Sequence, residues 1–218
     1  MKSLIPALLT LPLFAVSCAS PKAMDAPADQ SAMATGHTMP AGAEGEMEMD
    51  PAMMEAMMSF MTPGEAHQAM ATREGTWKVK SMITMGPGAE SMPMEMVVEA
   101  RMILDGHYLV EESSGMMMGM PYKGQLTMGF NNATEEWWTV YMDSMSTGFA
   151  SCKGKADANG VVRMEGTMVD AMSPEGRPYR CETTITADED NFVVHLFDTL
   201  PDGTEWEVMT MHYVRADK

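Results

Sequence analysis

From Gly75 to the C-terminus, apolar and polar residues alternate with a period of two. That spacing puts one set of side chains on each face of an extended strand. The alternation predicts about ten strands, over roughly 75–85, 92–104, 107–114, 121–130, 135–143, 147–157, 160–170, 177–187, 191–199 and 204–215. Turn-forming clusters separate them: Gly86-Pro87-Gly88, Asp105-Gly106, Asn131-Asn132, Asn159-Gly160, Pro174-Glu175-Gly176, Asp188-Glu189-Asp190 and Pro201-Asp202-Gly203. The spacing leaves no room for the crossover helices that parallel strands need. The expected fold class is therefore all-β, a closed antiparallel up-and-down barrel of about ten strands preceded by one or two short helices. Closure removes the exposed edges of such a meander; a sandwich is the alternative.

Upstream of Gly75 the period changes. Asp50-Pro51 reads as an N-cap followed by Pro at the first helical position. Met53, Met57 and Met61 follow at i, i+4 and i+8, with Met54 and Met58 in the adjacent row, so one short helix carries a thioether face. Thr62-Pro63 ends it, and Gly64 to Ala71 forms a second short helix. Ala19 to Met49 is rich in Ala, Pro, Gly, Ser and acids, with Lys22 as its single Lys or Arg, and nothing in it offsets the entropy of ordering a backbone. The expected organisation is a signal sequence (1–17), a disordered acidic tether (18–49), a Met-rich helical segment (50–71) and a barrel domain (72–218).

At the N-terminus, Lys2 precedes an apolar run from Leu4 to Val16 that is broken by Pro6 and Pro12 and is too short to span a bilayer. It ends at Ala15-Val16-Ser17-Cys18, which resembles a bacterial lipobox. The resemblance implies that Cys18 is lipidated, becomes the first mature residue and holds the protein at the periplasmic face of an envelope membrane. Ala19 rather than Asp after the Cys implies, by the same resemblance, the outer membrane. An ordinary secretory signal with a chance Cys is the plainer reading.

Charge narrows the partners. Fourteen Lys and Arg stand against 31 Asp and Glu, a net charge of −17, which excludes the basic face that nucleic acid requires. Met is over-represented at 30 residues.

Gly75-Thr76-Trp77 after a short helix resembles the G-x-W opening of lipocalin-like (calycin) barrels. That resemblance implies a basic residue of the last strand packed over the Trp, for which Arg215 is the match. A longer stretch, from about Gly64 to Lys218, resembles a bacterial family known as domain of unknown function 1579. Its residues are Gly115 to Gly119 with Met120-Pro121-Tyr122-Lys123-Gly124, Gly129-Phe130-Asn131, Tyr141 to Gly148, Asp170-Ala171-Met172-Ser173 and Pro201-Asp202-Gly203-Thr204-Glu205. The resemblance implies the barrel and brings no activity, cofactor or catalytic residue.

Candidate chemistry is sparse. Thioethers suit Cu(I), so Met53, Met57 and Met61 are candidate metal ligands, with His37, Met39, Met47 and Met49 nearby in sequence. Otherwise Met acts as flexible packing material, an oxidation buffer or an adhesive helix face. His195 and His212 lie too far apart along a hairpin to share a metal, with His195 opposite Val208 or Met209 and His212 opposite Asn191 by strand counting. Cys152 and Cys181 fall on next-but-one strands, beyond ordinary disulfide reach, which favours free buried thiols over a disulfide. Asp143 and Asp170 read as turn caps rather than an acid–base pair. No nucleophile elbow, P-loop or dinucleotide fingerprint appears. No cofactor is expected, with Cu(I) as the alternative.

Several strands are apolar on both faces, which makes an apolar cavity for a small ligand plausible. Charge parity assigns its lining. Lys153 and Lys155 point out, leaving Cys152 in; Arg180 and Glu182 point out, leaving Tyr179 and Cys181 in. On the ninth strand Phe192, Val194 and Leu196 form the longer apolar row. On the fifth, Trp138, Val140 and Met142 are taken as the inner set, with Trp137 and Tyr141 as alternatives. The functional expectation is a non-catalytic binding barrel. The alternative is an envelope interaction or copper-handling protein working through its Met-rich arm.

Overall fold

Period-two alternation becomes ten strands in the computed structural model, which describes residues 50–171, 173–185, 190–200 and 202–216. The signal sequence, Cys18, the tether and its Met and His residues lie outside the described residues. So do Met172, residues 186–189 and Pro201 in the expected turn motifs. Glu48–Lys218 forms one unit.

Two helices come first, α1 (Pro51–Met61) and α2 (Glu65–Ala71). The Asp50 side chain accepts from the Ala52 amide at 2.9 Å and Pro51 opens α1, as the sequence predicts. The strands are β1 (Gly75–Thr84), β2 (Ser91–Ile103), β3 (Tyr108–Met117), β4 (Met120–Asn131) and β5 (Glu136–Asp143). They continue with β6 (Ala150–Ala156), β7 (Val161–Asp170), β8 (Ser173–Thr184), β9 (Asn191–Thr199) and β10 (Glu205–Arg215). Each pairs antiparallel with its sequence neighbour, and β10 returns to pair with β1, closing an up-and-down barrel. Alternation sorts the faces: Trp77, Val79, Ser81 and Ile83 of β1 point in, while Lys78, Lys80 and Met82 point out.

Closure is locked where β1 begins. Trp77 lies opposite Arg215 across the β1–β10 ladder and is fully buried. The Arg215 guanidinium sits 4.3 Å above the Trp77 ring. It also donates to the carbonyls of Glu74 (2.8 Å) and Thr72 (2.7 Å), tying the last strand to the α2–β1 linker. The indole N–H donates to the Arg73 carbonyl at 2.9 Å. Gly75 makes this passage: its φ is +121°, and a Cβ there would sit 2.9 Å from the Arg215 Nη1. The spacing Gly75, Trp77 and Arg215 is therefore one structural latch.

Two expectations are corrected. Pro174-Glu175-Gly176 is not a turn: β8 begins at Ser173, and the chain reverses between Asp170 and Ser173 with an irregular register near Asp170. In the last hairpin a register shift between Glu207 and Met209 moves His195 opposite Thr210 and His212 opposite Val193. His195 bonds Glu207 at 2.6 Å instead. Among the described residues no helix is long and apolar enough to cross a membrane.

The latch predicts an order of losses in urea unfolding. Trp77→Ala is expected to cost about 3–5 kcal/mol and Trp77→Phe, which loses only the indole bond and some area, about 1–2 kcal/mol. Gly75→Ala is expected to cost about 1–3 kcal/mol through backbone strain and displacement of Arg215. An unchanged midpoint for Gly75→Ala would show that Arg215 does not need the bare Cα.

Candidate functional site

The barrel interior holds a cavity of about 230 Å³. Seven of the described methionines line it, among them Met96, Met128, Met168 and Met211, together with Val98, Val194 and Leu196. Inward residues nearest α2, such as Trp77, Leu109, Met128 and Val162, are buried, whereas Met117, Met168, Leu196 and Met209 at the other end are partly exposed. The cavity therefore opens at the end away from α2. Hairpins at that open end carry exposed Met85, Met118, Met120, Met145 and Phe149.

α2 closes the opposite end. Met70 is buried, and His67 packs edge-on against Phe130 at 6.1 Å. The Gly64 amide donates to His67 Nδ1 at 3.1 Å, and burial lowers the imidazole's pKa, so the ring sits there neutral. α1 lies outside this seal. None of its residues is buried; Met53, Met57 and Met61 are exposed, and among the described residues no three His, Cys, Asp or Glu side chains cluster as a metal site. Its C-terminal end is held by Asn132, which donates to the carbonyls of Ser59 (2.8 Å) and Thr62 (2.9 Å), and by His107, whose Nε2 lies 2.9 Å from the Met61 carbonyl.

Of the residues named from parity, Cys152, Tyr179, Cys181, Val194 and Leu196 line the cavity. Phe192 does not: it is buried below the cavity, 4.9 Å from the Trp77 ring centroid and stacked 4.2 Å from Tyr213. The fifth strand is inverted. Trp137, Thr139 and Tyr141 point in, while Trp138, Val140 and Met142 face outward, Met142 being 44% exposed. Trp138 is apolar without being internal because it covers a glycine on the outer surface. A Cβ on Gly129 would lie 2.5 Å from the Trp138 ring, and Tyr108 packs beside it at 5.6 Å. Trp137 meets Phe130 inside at 4.9 Å.

Both thiols are free and buried. Cys152 lies 2.9 Å from the Thr139 hydroxyl, and burial pushes both thiols above the ordinary range, Cys181 the further. A nucleophilic Cys requires the opposite shift. Near the mouth, the Tyr122 and Tyr141 hydroxyls meet beside Ser113, and burial raises both phenols. Gly124 leaves the space for them: a Cβ would fall 2.6 Å from Ser113 Oγ and 2.8 Å from the Tyr122 hydroxyl.

The polar feature of the closed end is a buried ion pair. Arg73 rises from the α2–β1 linker beneath Phe192, 4.2 Å from its ring centroid. Its Nε donates to the Ile185 carbonyl (3.1 Å) and its Nη2 to Thr183 Oγ1 (2.6 Å) and the Thr184 carbonyl. Its Nη1 lies 3.8 Å from Glu111 Oε1. Burial raises the Glu111 pKa, against the pull of Arg73, and depresses that of Arg73. Sequence reading missed this pair. The available signal was Glu111 beside Glu112, which puts a carboxylate on the apolar parity of β3.

A family model matches residues 62–215. The chain belongs to the family described as protein of unknown function (DUF1579). The DUF1579 match begins after α1 and takes in α2, the barrel and the latch, so the Met-rich helix lies outside the matched residues. No curated protein matches the chain. The family supports a barrel compatible with non-catalytic ligand binding and assigns no activity.

Removing one member of the buried pair should cost more than removing both. Arg73→Met is expected to lose about 3–5 kcal/mol, and Arg73→Met with Glu111→Leu to recover most of it. In the single variant the folded state holds the Glu111 proton more tightly than the unfolded chain. Its stability should therefore fall as pH rises above the ordinary carboxylate value of 4.5. Equal losses in the single and double variants would show that the charges are not coupled.

Proposed function

We propose that this chain is an envelope lipoprotein whose barrel holds a small apolar ligand and performs no chemistry on it. The observation that carries the reading is the cavity: enclosed by α2 at one end, open at the other, and lined mainly by thioethers and aliphatic groups. At about 230 Å³ it falls below the ~300–1,000 Å³ of drug-sized sites, which favours a small molecule. Methionine side chains repack around different shapes, so the lining tolerates related ligands. The exposed apolar hairpins at the mouth fit transfer from an apolar phase, such as the membrane to which Cys18 would tether the barrel. Burial-raised thiols and phenols along the cavity argue against a nucleophile there.

A second reading rests on α1. Met53, Met57 and Met61 stand one turn apart with exposed thioethers, an arrangement of soft donors for Cu(I). Under it, changing all three to Leu abolishes Cu(I) capture in a bicinchoninate competition; under the ligand-binding reading capture is absent from the outset.

Two measurements test the main reading. Native mass spectrometry of the purified protein should find a bound mass that disappears on denaturation, and no such mass in a protein shown to be folded and exposed to membrane extract would remove the reading. Cys18→Ala should move the protein from the membrane to the soluble periplasmic fraction; unchanged fractionation would refute the lipid anchor.

A further inference from the structure

Among the described residues, the floor of the cavity is where its lining presents an unmatched polar atom. Glu111 is 6% exposed; Tyr213 hydrogen-bonds to its carboxylate, yet the Oε1 atom is left without a partner. Such an orphaned buried acceptor is costly unless a ligand or water completes it. Its nearest cation does not do so. Arg73 Nη1 stands 3.8 Å away, beyond hydrogen-bond length, while the Nε and Nη2 hydrogens are taken by Ile185, Thr183 and Thr184. The floor thus offers one free acceptor, Glu111 Oε1, and the N–H groups of Arg73 Nη1, 3.8 Å apart, so that one oxygen set off the line between them can bond to both. The two formal charges cancel, so the floor has no net charge to offer a third ion.

Resting on the apolar-ligand reading, we propose that the cavity selects amphiphiles with a terminal hydroxyl, which donates to Glu111 Oε1 and accepts from Arg73 Nη1. A hydroxyl is the smallest group with both functions on one atom. An ether accepts without donating and would leave Glu111 Oε1 orphaned. A carboxylate would oppose the Glu111 charge in a low-dielectric site where repulsion is strong. The apolar tail then runs past Met128 and Leu196 toward the mouth. Cavity size restricts the tail to a short or medium chain.

The test displaces a neutral fluorescent reporter, N-phenyl-1-naphthylamine, from the full chain with three eight-carbon probes: octan-1-ol, its isomer 1-methoxyheptane, and octanoate. Octan-1-ol should bind at least about tenfold more tightly than the ether, the size expected for one hydrogen bond to a charged group. Glu111→Gln keeps an acceptor oxygen and leaves Arg73 unopposed. It should raise octanoate affinity about tenfold or more over wild type while octan-1-ol holds or weakens; because each probe is compared with itself, differences in solubility cancel. Circular dichroism establishes that the variant is folded; should it not fold, the alcohol-against-ether comparison in wild type decides alone. Equal affinity for alcohol and ether, or a Glu111→Gln variant that is folded and leaves octanoate unchanged, overturns the proposal while the reporter's binding keeps the apolar-ligand reading. A reporter and probes that all fail to bind overturn both.

Discussion

Trp77 is gripped from two sides, and the interior of the barrel depends on that grip. Arg215 lies on one face of its ring; Phe192 meets it edge-on at 4.9 Å; and the Arg73 carbonyl accepts a hydrogen bond from its indole N–H. Because Trp77 belongs to β1 and Arg215 to β10, the same contact closes the ladder that turns a meander into a barrel. Without closure the ten strands would have two exposed edges and no enclosed volume. The contact also fixes the α2–β1 linker, since Arg215 holds the carbonyls of Thr72 and Glu74. That linker is what carries Arg73 into the barrel.

A charged side chain can occupy the core only because its backbone has no freedom to withdraw. Arg73 is 2% exposed, and burying a guanidinium is costly unless its donors are matched. The carbonyls at the end of β8, the Thr183 hydroxyl and the Phe192 face match most of them. Glu111 supplies the counter-charge at a distance that leaves its own oxygen unmatched. The latch, the buried arginine and the polar floor of the cavity are therefore consecutive consequences of one closure. The latch and the buried arginine are built from neighbouring residues, Thr72 to Glu74 of the linker with Gly75 and Trp77 at the start of β1.

The fold was legible because β-structure writes itself in period two. Ten strands and both helices fall close to the boundaries that alternation and caps predict, the start of β8 excepted, since each strand pairs with its sequence neighbours. Parity succeeded where charge broke the symmetry of a strand: Lys153 and Lys155 expose β6, and Arg180 and Glu182 stand opposite Cys181 in the alternation. It failed on β5, where both faces are apolar for different reasons. Trp137 fills the closed end while Trp138 shields the bare backbone of Gly129 from outside. Single-sequence reasoning cannot weigh a glycine on the neighbouring strand until pairing is known. Arg73 was invisible for another reason: it sits in a short linker of charged residues, where solvent exposure is the ordinary expectation, and its burial is a tertiary outcome of the latch.

The methionines divide by environment, and the division separates packing from function better than their number does. Met70 and Met164 are fully buried and behave as aliphatic core. A second set, including Met96, Met128, Met168 and Met211, lines a space that the barrel does not fill with its own side chains. Unbranched thioethers suit that position, because they reach across a void or fold back from it with little strain. Branched residues there would fix one shape of cavity. A third set on α1 and the mouth hairpins is exposed, contributes nothing to the core and lies in part outside the family's span. Replacing the first set by Leu would therefore alter little but stability, whereas replacing the second would stiffen the wall of the cavity. On the proposed reading, a polar floor beneath an adaptable wall would separate two roles in recognition, with Glu111 and Arg73 choosing the head of a ligand and the methionines accommodating its tail.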